Sequence, residues 1–139
     1  MGNVYTTITV TNRIDQANAE DGLLQVEKVR SVTIPNVLVD TGATTLCLPR
    51  EIIQQLGLKP ARRVPVEAAQ RMAESQVFQD AKVALLGREG TFDCLELPGG
   101  KQPLLGVIPM EAMGLEPDLH NQSVRLLPLT KEDTYLTIL

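Results

Sequence analysis

The strongest constraint on this chain is one carboxylate carried by an apolar run onto a tight turn. Val37-Leu38-Val39-Asp40-Thr41-Gly42-Ala43-Thr44-Thr45-Leu46 starts as a β-type run, reaches Asp40 and turns at Gly42 into a second apolar stretch. Asp40 therefore stands where a buried strand ends, so its charge is partly desolvated and must find hydrogen-bond donors or a second acid. Gly42 lets backbone come close. The Thr41 hydroxyl can anchor the turn, and the small Ala43 leaves room for a substrate or a second chain. An Asx-type turn after a strand uses the same residues, and the stretch alone fits either reading.

A weaker copy of the plan follows, where Leu104-Leu105-Gly106-Val107 again carries an apolar run into a glycine turn. Each turn leads into a segment with helix punctuation, Leu48 to Pro60 after the first and Ile108 to Pro117 after the second. Pro49 and Pro109 suit the first helical position, Gly57 and Gly114 suit a left-handed C-terminal cap, and Pro60 and Pro117 prevent continuation. Strand, turn and capped helix used twice imply an internal two-fold pseudosymmetry. Only the first copy carries an Asp.

With 139 residues the chain is read as one domain, 1–139, long enough for a core of its own. Aromatic residues make up only 3% against a hydrophobic fraction of 43%, so Leu, Val and Ile must do the packing. A net charge of -4 without a basic run argues against nucleic acid or an anionic membrane as partner. No stretch is long enough to span a bilayer, and no basic-then-apolar leader follows Met1, so a cytoplasmic location is expected. The two cysteines, Cys47 and Cys94, are read as reduced core residues. His120, the one histidine, falls in a polar turn-like stretch, which leaves a Cys-His nucleophile pair little to stand on. One His and two separated Cys give no zinc-ligand spacing, and no glycine loop for phosphate is present, so no metal or cofactor is expected.

The coarse pattern is β-rich. Val4–Asn12 reads as a strand, at an edge or an interface. Asn18–Gly22 reads as a turn, and Leu23–Val29 and Val32–Ile34 as strands leading to Asp40. Val83–Leu86 and Thr91–Leu97 read as a hairpin about a turn at Gly87–Gly90. Ser123–Pro128 and Thr134–Leu139 read as the last strands. Glu67 to Glu74 is made of strong helix formers between strand-like flanks at Val64–Val66 and Val77-Phe78.

Asp40-Thr41-Gly42-Ala43, together with Leu104-Leu105-Gly106 and the two capped helices, resembles the retropepsin-like aspartic proteases, and the single-domain, non-viral members most. The resemblance implies a mostly β, closed barrel-like fold with the pseudo-two-fold repeat and one or two short helices. It implies that Asp40, Thr41 and Gly42 are catalytic. Residues 62–86 then correspond to the flap hairpin, with its tip near Gln70 to Glu74. Ala43, Thr44, Thr45, Arg71, Met72, Ala73, Leu105 and Gly106 would contact a peptide or protein substrate. Thr44, Thr45 and Val107 stand where retroviral members place acidic residues and an Arg.

The same resemblance implies a homodimer whose N- and C-terminal strands interleave. A chain with one such Asp cannot build a two-carboxylate site, whereas a two-fold dimer sets Asp40 beside its counterpart. The function expected is that of an aspartic endopeptidase. The alternative is a retropepsin-like dimer that binds peptides with little turnover, favoured by a flap tip that lacks glycine. By sequence, Asp93 and Asp118 are ordinary surface residues.

Overall fold

Strand β1, Val4–Asn12, alternates apolar and hydroxyl residues and buries Val4, Ile8 and Val10 on one face. Its register against β2, Ser31–Val39, slips between Thr6 and Ile8 by one extra residue in β2, so that Ile34 and Val37, three positions apart, are both buried. On the outer face, cross-strand hydroxyl pairs Thr9–Thr33 (3.1 Å) and Thr11–Ser31 (3.0 Å) join the strands. The computed structural model describes residues 3–68, 71–97 and 102–127.

The chain continues through α1 (Arg13–Glu20), β2, β3 (Leu46–Leu48), α2 (Arg50–Leu56), β4 (Lys59–Ala68), β5 (Arg71–Leu85) and β6 (Arg88–Glu96). It ends in β7 (Leu104–Leu105), α3 (Val107–Ala112), β8 (Leu115–Asp118) and β9 (Ser123–Leu126). Seven strands form one sheet in the order β1-β2-β7-β3-β6-β5-β4. A further β1–β5 pairing turns this sheet back on itself into a ring, giving a mostly β, retropepsin-like architecture. β8 and β9 form a separate two-stranded sheet.

The core is aliphatic. Val37 of β2, Leu46 and Leu48 of β3, Leu56 of α2, Val83 of β5 and Leu105 of β7 are all fully buried. The two repeats meet in it: β2 and β7 run parallel, with Leu38 beside Leu104 and Val39 beside Leu105. α2 ends on left-handed Gly57 (φ 61°), and α3 is followed, one residue past its cap Met113, by left-handed Gly114 (φ 65°).

Besides Pro49 and Pro109, which stand at the α2 N-cap and at the third residue of α3 and not at first helical positions, the structure departs from the sequence expectations in five places. Residues 13–20 form a helix, capped by Asn12, whose Oδ1 accepts the Asp15 N–H at 3.0 Å. The expected turn therefore shrinks to Asp21-Gly22, and α1 makes three helices among the described residues. Leu23–Val29 is not a strand: it is loop and a single 3-10 turn at Val26–Lys28, since no neighbouring strand is there to pair with it. β1 is no simple edge, for Thr9–Asn12 pairs with both β2 and β5, and only Val4–Ile8 has β2 alone among the described residues.

The fourth departure is the turn expected at Gly87–Gly90, which is the two-residue Leu86-Gly87, both with positive φ (52° and 78°). The fifth is the helix-forming run Glu67–Glu74. Its described residues, Glu67-Ala68 and Arg71–Glu74, are extended: β4 and β5 pair from Lys59 and Gln79 up to Ala68 and Arg71. The backbone ladder between β4 and β5 outweighs propensities of a few tenths of a kcal/mol per residue. Arg71–Glu74 therefore belong to the returning strand and not to the tip. Ala69 and Gln70, the chain between the strands, lie outside the described residues, as does the expected terminal strand Thr134–Leu139.

Candidate active site

Asp40 follows directly on β2, and backbone holds it on both sides. Its N–H donates to the Leu105 carbonyl at 3.0 Å, continuing the β2–β7 pairing by one residue. Its own carbonyl accepts the Ala43 N–H at 3.0 Å, closing the turn, and its Oδ1 accepts the Gly42 N–H at 2.9 Å. The half-buried carboxylate thus has one backbone donor holding it in place. Thr41 is exposed, and its hydroxyl has no partner among the described residues.

The second glycine turn locks onto the first. Val107 donates its N–H to Ala43 O (2.9 Å) and Ile108 to Thr44 O (3.0 Å). Gly106 is buried between them. A β-carbon there would sit 2.5–2.6 Å from the carbonyl oxygens of Thr45 and Ala43 and the Thr45 nitrogen. Gly106 is therefore required by close approach and not by its dihedrals, which are ordinary extended ones at φ -89°.

Behind the turn, Cys47 is buried, and its thiol is pushed up to about 11, first by that burial and then by the negative charge of Asp40. Burial likewise pushes the Cys94 thiol upward. His120 is exposed in the turn between β8 and β9, so thiols and imidazole differ in access as well as in place. Among the described residues no group of three or more His, Cys, Asp or Glu is arranged to hold a metal.

Beyond the turn a cleft of about 380 Å³ opens beneath the β4–β5 hairpin. Thr44 and Thr45 form one wall with Ile108. β4 supplies Arg62, Val64 and Val66, an i, i+2, i+4 set on one strand face. Val77 of β5 and Phe92, Asp93 and Leu95 of β6 complete it. The Thr45 hydroxyl donates to Asp93 O at 2.9 Å, which ties the Asp40 turn to this floor.

Of the residues singled out by sequence, Thr44 and Thr45 line this cleft, while Asp40–Ala43 and Gly106 form the paired glycine turns beside it. Leu105 has its side chain fully buried in the core and reaches the site only through its carbonyl. Met72, 64% exposed, and Ala73 lie on β5 opposite Glu67 and Val66, outside the walls of this cleft, and Arg71 begins the same strand. The sequence reading missed Arg62, Val64, Val66, Phe92, Asp93 and Ile108. The alternation at 62, 64 and 66 was the available signal, but which face looked inward depended on the hairpin's partners.

No helix among the described residues is long and apolar enough to cross a membrane. No curated protein matches the chain. The family model described as aspartyl protease matches residues 25–108, a span that takes in the Asp40 turn, strands β4 and β5 and the second glycine turn. With the ring-closed sheet, the twin glycine turns and this match over more than half its length, the chain belongs to the retropepsin-like aspartyl protease family.

Proposed function

We propose that the protein is a homodimeric aspartic endopeptidase in which each one-domain protomer contributes Asp40 to a shared pair of carboxylates. The observation that carries this reading is the cross-bracing of the two glycine turns. Ala43 and Thr44 accept the N–H groups of Val107 and Ile108, and this holds Asp40 on a rigid edge of the sheet with a cleft beginning four residues away. A reacting carboxylate needs this kind of fixed position.

Two carboxylates at close range share one proton because both cannot ionise together. The ionised Asp40, steadied by the Gly42 N–H, takes a proton from water while the protonated partner polarises the scissile carbonyl. Water adds to the peptide carbon, and the tetrahedral intermediate breaks down as a proton passes to the leaving nitrogen. Thr41, exposed in one protomer, is placed to brace the turn across the two-fold axis. Gly42, Ala43, Thr44 and Thr45 would line the path of an extended peptide, with the flap residues Arg71, Met72 and Ala73 above it.

The β4–β5 hairpin favours turnover over the alternative of a peptide-binding module, because a cover that excludes water is what the chemistry needs. A cytoplasmic setting fits two unpaired, buried cysteines. The test is Asp40→Asn, which barely alters volume. It should fold and dimerise as the parent does while peptide cleavage falls on the order of 10⁴-fold. Cleavage retained by the variant removes Asp40 from the mechanism.

A further inference from the structure

We propose that Arg62 and Asp93 determine the specificity of the cleft: their ion pair keeps its mouth neutral, so a bulky apolar side chain of an extended peptide enters and a Lys or Glu is refused. This rests on the peptide-hydrolase reading for its ligand, an extended peptide, but not on turnover.

The two residues face each other from strands that are not neighbours. Arg62 is on β4 and Asp93 on β6, with β5 between them in the sheet, and Arg62 Nη1 lies 3.4 Å from Asp93 Oδ2. Both backbones are held. Gln76 Nε2 donates to Arg62 O at 2.9 Å, and the Thr45 hydroxyl donates to Asp93 O. The pair therefore spans the cleft from flap to floor at a position tied to the Asp40 turn. Apart from Thr44 and Thr45, the rest of the lining is apolar: Val64, Val66, Val77, Phe92, Leu95 and Ile108. Ile108 at the edge is 49% exposed and would be covered by an apolar occupant.

A charged side chain entering this space loses water and meets a counter-charge already engaged, whereas an apolar one gains burial at no electrostatic cost. The contact is long and both side chains are about half exposed, so it is a weak tie that sets charge balance and not stability. Removing either partner leaves the other charge unopposed, and the two removals must change selectivity in opposite directions.

The experiment measures equilibrium binding of reduced-amide octapeptides, which cannot be cleaved, with Leu, Lys or Glu at each position in turn. The full-length parent should show one position where Leu exceeds both Lys and Glu. At that position Arg62→Gln should gain about tenfold for Lys, and Asp93→Asn about tenfold for Glu, from one charge-assisted contact. The exchanged pair Arg62→Asp with Asp93→Arg should restore the parental order. An unchanged order in both single variants overturns the proposal, as does an absence of binding by any peptide. Peptide binding with these shifts but no cleavage of the corresponding ordinary amides would instead sink the protease reading and leave the specificity assignment standing.

Discussion

Gly106 lies so close beneath Ala43 that a β-carbon on it would come within 2.6 Å of the Ala43 carbonyl oxygen. The neighbouring Val107 N–H donates to that oxygen at 2.9 Å, so the two glycine turns are held together by backbone alone. Gly106→Ala must push them apart. Because the dihedrals at 106 suit alanine, the cost comes from overpacking, about 1–3 kcal/mol, seen as a lower urea midpoint at unchanged slope. Activity should fall further than stability, since the displaced turn carries Asp40. An unaltered midpoint would show that the turns can separate freely.

Asn12 joins three elements through one buried amide. Its Nδ2 donates to Leu56 O (2.8 Å) and Gly57 O (3.2 Å) at the end of α2, and its Oδ1 caps α1. Asn12→Ala loses the cap and leaves the α2 carbonyls without those donors, a destabilisation of about 2–4 kcal/mol. Asn12→Asp keeps the cap but sets a carboxylate oxygen against both α2 carbonyls in this buried site, and should unfold at or below the temperature of the alanine variant.

The Arg30 guanidinium grips Asp15 with two hydrogen bonds, Nε to Oδ2 at 2.8 Å and Nη2 to Oδ1 at 3.0 Å. The side-chain hydrogen bond first, then the backbone N–H of Arg30 and its charge, hold the Asp15 carboxyl below its ordinary value of 3.8, against the opposing effect of burial. The folded protein therefore binds this proton more weakly than the unfolded chain. The stabilisation is complete well above 3.8 and is lost as pH falls through the folded value. Asp15→Asn should lower stability by about 1–3 kcal/mol at neutral pH and flatten the acid limb of the stability profile. Parallel acid limbs for parent and variant would assign that limb to other carboxylates.

If each protomer brings half of the carboxylate pair, specific activity must fall on dilution through the dimer dissociation constant. Deleting residues 134–139, an apolar segment expected to pair across the two-fold axis, removes on the order of 3–6 kcal/mol of apolar burial before entropy. Sedimentation of the truncated protein should show a monomer without cleavage. A truncated dimer that still cleaves places the interface elsewhere.

By itself the sequence determined the parts whose physics is local: the apolar run into Asp40, the second glycine turn, and two helices stopped by left-handed glycines. Each depends on residues within a few positions, where a proline's missing N–H or a glycine's free φ acts directly. Only the tertiary structure decided the rest. Leu23–Val29 has a strand's composition but no strand beside it, and Glu67–Glu74 has a helix's composition, yet Glu67-Ala68 and Arg71–Glu74 pair within the β4–β5 ladder. The cleft draws Thr44, Arg62, Val77, Asp93 and Ile108 from five separate stretches, and their meeting depends on sheet order. Long-range pairing and burial outweigh local preferences worth a few tenths of a kcal/mol per residue, so neither the ring closure nor the cleft wall can be read from any single window of the chain.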